Sequence, residues 1–207
     1  MNGKYTLKSF IKVFYERCFV YLSLLKNMEF EQKTIKGLFI IKPSVFSDER
    51  GYFYESYNKA IFDKNGLDLD FIQDNQSLSH KGVLRGLHFQ APPFAQGKLV
   101  RVIQGSVLDV AVDIRPHSPT YGKYESVLLS SENKTQFWIP TGFAHGFVTL
   151  EDNTIFCYKC TSPYSKESEG TILWNDPQLN IDWNIEQPIV SSKDQEAELF
   201  EYFKSPF

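Results

Sequence analysis

Lys98-Leu99-Val100-Arg101-Val102-Ile103-Gln104-Gly105 runs straight into Ser106-Val107-Leu108-Asp109-Val110-Ala111-Val112-Asp113-Ile114. Both stretches are short and rich in β-branched residues, and Gly105 punctuates them. They read as consecutive β-strands. The same grammar continues outward in both directions. Upstream lie Gly37 to Lys42, stopped by Pro43, then the aromatic Tyr52 to Tyr57, Phe71 to Ser77, and Gly82 to Phe89. Downstream lie Tyr124 to Leu129, Gln136 to Ile139, Gly146 to Leu150, and the segment Thr154 to Thr161. Strands recur about every 8–12 residues with Gly, Pro, Asn or Ser between them, which predicts an all-β sandwich or barrel. Helices are expected only at the periphery. One runs from its cap Asn58 to Lys64 and ends at Asn65-Gly66, and another closes the chain over Ser192 to Glu201, capped by Ser192 or Asp194.

Composition narrows the function classes. The chain has 207 residues, 42% hydrophobic and 23% charged, enough for one core without staples. A net charge of −3 argues against general nucleic-acid or membrane-surface binding. Charge is uneven: residues 1–27 carry five cations against Glu16, a net +4, which leaves −7 for the rest. That leading stretch lacks a small-residue cleavage site, and Glu16 and Arg17 interrupt its apolar run. Residues 1–27 are therefore read as an N-terminal extension, a disordered arm or a mis-called start, with the domain over 28–207. No stretch reaches the 18 or so apolar residues that span a bilayer, so no stable membrane insertion is expected. Three cysteines do not make a disulfide framework. Cys157 and Cys160 have CxxC spacing but sit in a strand, where such residues face opposite ways. They are expected to be structural thiols in a reducing cytoplasm.

Two histidines lie in suggestive surroundings. One is in Gly82-Val83-Leu84-Arg85-Gly86-Leu87-His88-Phe89-Gln90, the other in Pro140-Thr141-Gly142-Phe143-Ala144-His145-Gly146. These segments resemble the two signatures of the cupins, small jelly-roll barrels that usually hold one metal on three histidines and a glutamate. The second signature matches. The first keeps Gly82, His88 and Gly105 but has Gln90 where a histidine belongs and Lys98 in the stretch of the glutamate. A lysine ammonium would repel a divalent cation, and two histidines alone make a poor site. The expectation is a barrel kept without its metal, its cavity left with His, Lys, Arg and Gln. The fold class is then an all-β, cupin-like jelly roll with short helices at the periphery and the C-terminus.

Seven blocks in order carry a closer resemblance. They are Asp48 to Phe53, Gln73-Asp74-Asn75, Gly82 to Gln90, Ala95 to Arg101, Asp109 to Arg115, Trp138 to Phe147 and Ser192-Lys193-Asp194. Together they resemble the dTDP-4-dehydrorhamnose 3,5-epimerases over roughly residues 30–201. The resemblance implies proton transfer at C3 and C5, the two carbons beside the C4 ketone of a dTDP-linked 6-deoxyhexose, with no cofactor. It implies His88 as base, oriented by Asp194, Lys98 at the C4 oxygen, and Tyr158 as the acid on the opposite face. It further implies Arg50 and Arg85 at the diphosphate, with Lys193 as a third cation. Phe53 and Tyr164 would pack on base or sugar. Gln73, Asn75 and Glu55 would read base and ribose, and His145 would touch sugar hydroxyls. In this family the first strands cross to a partner subunit, so a homodimer is implied, with Arg50, Phe53 and Glu55 serving the neighbour.

Each assignment has a plainer counterpart. His88 and His145 could be core residues, Lys98 a turn lysine, Arg50 and Arg85 surface ion pairs, Tyr158 a core aromatic, and Asp194 only a helix cap. Three other functions stay open: epimerisation of one carbon in a related ketosugar, a metal-dependent cupin, and a sugar-nucleotide-binding module without activity.

Overall fold

In the computed structural model, residues 28–207 are described, and the strand grammar of the sequence is visible throughout them. The expectations for residues 1–27, Cys18 included, lie outside the described residues. Strands β1 (Glu29–Gln32), β2 (Phe39–Lys42), β3 (Phe46–Asp48) and β4 (Gly51–Phe53) precede the helix Lys59–Lys64. Then follow β5 (Gln73–Ser79), β6 (Val83–Gln90), β7 (Lys98–Gln104), β8 (Ser106–Asp113) and β9 (Tyr124–Ser130). Next come β10 (Gln136–Ile139), β11 (Phe143–Thr149), β12 (Thr154–Cys160), β13 (Glu169–Thr171), β14 (Ile189–Val190) and the one-turn helix Ser192–Gln195.

One sheet has the order β1-β2-β10-β7-β12-β5, and the other β13-β6-β11-β8-β9 with β14 beside β6. Strands β5 to β12 divide between them as β5-β12-β7-β10 and β6-β11-β8-β9, and the chain changes sheet at nearly every connection. This is jelly-roll order. It closes the ends of the runs that open the sequence reading: β7 joins one sheet, and β8, one glycine later, the other.

Three apolar layers explain why the central strands show so little alternation. Val100, Val102, Leu129, Phe137, Phe147 and Phe156 fill the space between the sheets. Val110, Val112, Ala144 and Val148 point the other way and are covered by Ile172, Leu179, Trp183 and Phe200 of the C-terminal segment. On the outer face of the first sheet, Phe62 of the early helix packs with Ile41, Leu99 and Trp138. Every residue of β11 is therefore buried, as a strand covered on both faces must be. Strand β5, at an edge, keeps its alternation: Asp74, Gln76 and Leu78 are exposed while the residues between them turn inward.

Local details depart from expectation in instructive ways. The early helix is capped by Asn58, whose side chain accepts from the Ile61 N–H, as read from the sequence. The closing helix is only one turn, and its cap is Ser191, not Ser192 or Asp194. Its continuation turns away because Leu173 N–H donates to Glu198 O, which ties that stretch to the covering segment. The aromatic run Tyr52 to Tyr57 is strand only as far as Phe53. Cys160 is buried and Cys157 half-buried, and both are free thiols.

Asp113 anchors the end of β8. Its carboxylate accepts from the Arg115 guanidinium at 2.8 and 2.7 Å and from the Ser118 and Thr120 hydroxyls at 2.5 and 2.6 Å. Burial raises the carboxyl, but these donors together outweigh it and hold it below its ordinary value. The folded state then binds the proton more weakly than the unfolded chain. The associated stability is present above the unfolded value of about 3.9 and is lost as pH falls through the folded one. Replacing Asp113 with Ala is expected to cost about 3 kcal/mol at neutral pH, and less as the pH drops below about 3.9. Denaturant melts across that range check it; a deficit independent of pH contradicts it.

Candidate active site

Polar residues from both sheets and from the C-terminal turn gather around a cavity of about 440 Å³. Strand β6 brings Arg85 and His88 to it, although residues three apart on a regular strand face opposite ways. The irregularity is visible in the pairing, which shifts register between His145 and Phe147 of β11. There Gly86, with φ +136°, lies so close that a Cβ would meet the Gly146 Cα at 2.5 Å. Only glycine allows that approach, and the bend turns both side chains inward.

His88 makes its closest contact with Asp194, Nε2 to Oδ1 at 2.7 Å. The carboxylate reaches it through the C-terminal strap. Strand β14 pairs in parallel with β6, placing Ile189 by Val83 and Val190 by Leu84. Ser191 then caps the helical turn that carries Asp194, whose Oδ2 accepts from the Gly86 N–H at 3.3 Å. Burial raises the Asp194 carboxyl, but the bonds from His88, Gly86 and Ser191 outweigh it and hold the group below its ordinary value. It is thus a fixed negative charge at neutral pH, able to set the ring's orientation.

The opposite sheet contributes Lys98, at the start of β7, and Tyr158, on β12, both lining the same cavity. Lys98 lies beside Cys160, and Tyr158 beside Asn75, in the strand registers. Burial pushes the Lys98 ammonium down and the Tyr158 phenol up, so the phenol keeps its proton at neutral pH. His145 is 6% exposed and shares its Nε2 with both oxygens of Asp109, at 3.0 and 2.9 Å. Burial drives the histidine down and the aspartate up, and the bond between them opposes both shifts.

The remaining residues divide. Arg85 reaches Ser79 Oγ at 3.4 and 3.3 Å and faces the cavity. Lys193 pairs with Glu169 at 2.6 Å, and Tyr164 donates to the same carboxylate at 3.2 Å. Gln73 donates to Asn75 and accepts from the Tyr164 N–H, so these three form one wall of an adjoining recess that also contacts His88 and Lys98. Arg50, Phe53 and Glu55 do not line the cavity. Arg50 grips Asp48 at 2.5 Å with its side chain 85% exposed, Phe53 is 68% exposed, and Glu55 accepts from Asn58. Gln90, read from the sequence as a residue left in the cavity, lines the adjoining recess. Its amide donates to Phe94 O and Pro163 O and accepts from the Ser165 N–H, so it fastens two loops. Among the described residues no group of three or more His, Cys, Asp or Glu is gathered as a metal set.

Sequence reasoning passed over Asp109 and Glu169. Asp109 had a signal, a lone carboxylate inside the apolar run Val107 to Val112. Glu169 had none, because surface-like Glu is common in strands and loops.

A sequence model of the dTDP-4-dehydrorhamnose 3,5-epimerase family matches residues 32–202. The Shigella flexneri dTDP-4-dehydrorhamnose 3,5-epimerase is 53% identical over 167 residues, 80% of this chain and 92% of that protein. The chain belongs to this family. Among solved structures, the Legionella pneumophila dTDP-6-deoxy-D-glucose-3,5-epimerase in complex with dTDP-4-keto-L-rhamnose superposes with a TM-score of 0.83. It is 51% identical, with 86% of this chain and 95% of that one covered. A 3'-monoepimerase from Streptomyces bikiniensis in complex with dTDP-quinovose is also similar, with a TM-score of 0.79 and 32% identity over 83% of this chain and 87% of that one. The 3,5-epimerase family match spans every site residue named above, from Arg50 to Asp194. It also places the jelly roll among solved epimerases of the same architecture.

Proposed function

We propose that the chain epimerises C3 and C5 of dTDP-4-dehydro-6-deoxy-D-glucose to give dTDP-4-dehydro-L-rhamnose in dTDP-rhamnose biosynthesis, by side chains alone. The observation that carries the mechanism is the division of labour across the cavity. His88 stands on one sheet, held by Asp194 from the C-terminal helical turn, and Tyr158 and Lys98 stand on the other. Inversion of a carbon needs a base on one face and an acid on the other.

In this reading His88 takes the proton from the carbon beside the ketone, and the C–H electron pair moves into the enolate. Lys98 stabilises the oxygen as charge develops there. Tyr158 returns a proton from the opposite face. Solvent then resets both groups, taking a proton from His88 and supplying one to the phenolate, so each centre is inverted with no net change in composition. Arg85 and Lys193 suit the diphosphate, since a guanidinium fork matches phosphate oxygens. Gln73, Asn75 and Tyr164 would hold the base and ribose in the adjoining recess, and His145 the sugar hydroxyls.

The same proposal includes a homodimer. The β3–β4 hairpin pairs with neither main sheet and holds Arg50 and Phe53 in the open. A second copy would receive them, with Glu55, at its own cavity. Sedimentation is expected to give twice the 24.0 kDa chain mass; a monomer with full activity would refute the shared site. No helix among the described residues is long and apolar enough to cross a membrane. The free thiols support a reducing, cytoplasmic setting.

Proton NMR in D₂O with the dTDP-4-keto-6-deoxyglucose substrate and a chelator tests the reaction. Loss of both the C3 and C5 signals is expected. Loss of one would make the protein a mono-epimerase with the same base. Loss of neither, with nucleotide bound, would leave a binding module.

A further inference from the structure

The Tyr164 side chain stands 56% exposed in the wall of the recess, yet its main chain is pinned on three consecutive residues. Gln90 holds the two that flank it. Its amide nitrogen donates to Pro163 O at 3.1 Å, and its amide oxygen accepts from the Ser165 N–H at 2.8 Å. Gln73 holds the middle one, accepting from the Tyr164 N–H at 2.8 Å. The same Gln90 nitrogen also donates to Phe94 O at 2.6 Å, in the loop that joins β6 to β7. That loop meets the one after β12 at further points, through Gln96 to Ser162 O and through the Ala91 N–H to Ser168 O. Gln90 is 5% exposed and ends β6, so its own backbone belongs to a strand and to neither loop. An aromatic ring left this exposed gains little burial from being held. What the bonds secure is a ring ordered before anything rests on it, which removes an ordering cost from binding.

We propose that Gln90 is a positioning residue for nucleotide binding, presenting the Tyr164 ring to the planar base of a nucleoside diphosphate. The inference rests on the reading that the recess takes base and ribose, and adds to it the group that prepares the recess. A flat base stacks well on an aromatic face, and more of that contact survives as affinity when the ring is already in place. His88, Lys98 and Tyr158 stand on strands with ladder pairings of their own. Loss of the Gln90 bonds therefore reaches the loops before it reaches the reacting groups.

Gln90→Met, which keeps the length of the side chain and removes its three hydrogen bonds, tests this. Calorimetric affinity for dTDP should fall about tenfold, and KM for the ketosugar nucleotide should rise by the same factor. At saturation kcat should stay within about threefold of the parent protein. The loss should also depend on the ring. In a Tyr164→Ala background, where dTDP binding is already weakened, Gln90→Met should change affinity by less than about twofold. An equal loss with and without the ring would overturn the proposal, because Gln90 would then act by another route. Unchanged dTDP affinity, or kcat falling as far as affinity, would overturn it too. If Gln90→Met does not fold, Gln90→Glu is read against the same criteria, since an ionised carboxylate keeps the acceptor for Ser165 and loses the donor to both carbonyls. A parent protein that binds dTDP but turns over no ketosugar would end the epimerase reading, and the Gln90–Tyr164 coupling would still be measured with dTDP alone. A parent protein that binds no dTDP would overturn both.

Discussion

His88→Asn is expected to lower turnover by about 10²–10⁴-fold while the fold and dTDP affinity are kept. Asparagine has roughly the reach of the imidazole and can still donate to Asp194, so the buried carboxylate is not abandoned. It cannot take a proton from carbon. Deuterium incorporation at C3 and C5 should vanish together with inversion, because both begin with the same abstraction. The substitution separates three explanations for His88. A core histidine would register as lost stability with turnover intact. A binding histidine would raise KM at constant kcat. Only a base predicts lost kcat with intact nucleotide binding. Turnover within tenfold of the parent protein would show that another group removes the proton.

Tyr158→Phe should split events that His88→Asn abolishes together. The ring still fills its place beside Phe156, so packing is little changed. In the proposed mechanism the base remains, and so does Lys98 beside the enolate. His88 can therefore still exchange a substrate proton with solvent and return it to the same face. Inversion is expected to fall about 10²–10³-fold, with deuterium continuing to enter carbon without change of configuration. Inversion above about a tenth of the parental rate would place the acid elsewhere. Equal loss of exchange and inversion would make Tyr158 part of the abstraction step. The expected behaviour depends on the phenol holding its proton at neutral pH, which its burial favours.

These residues were legible to different degrees. His88 and His145 stood out because glycines and a proline at fixed spacing surround them, and such residues mark backbone positions that other side chains cannot occupy. Lys98 was visible as a cation at the head of an apolar strand. Asp194 was visible only through resemblance, since a Ser-Lys-Asp tripeptide near a chain end is otherwise an ordinary helix start. Its capping serine was placed one residue late, because several adjacent polar residues can cap a helix and the backbone decides which does. Tyr158, one of 11 tyrosines, had no local mark at all. Gln90 shows the reverse case. Its position in the motif suggested a cavity group, which it is, but not that it also bonds the two loops that converge on it.

The sequence by itself determined the central strands, their turns, the all-β class and the family, because alternation, β-branching and glycine placement act over a few residues; the short strands β1, β3, β13 and β14 went unread. It also marked the histidine pair and the lysine. Only the tertiary structure decided who meets whom. The parallel pairing of β14 with β6 brings Asp194 across 106 positions to His88. The contact of Gly86 with Gly146 turns Arg85 and His88 into one cavity. The burial of Asp109 and His145 likewise arises from sheets meeting face to face. Such contacts join residues far apart in the chain, and their energies depend on burial and distance, which no local pattern records.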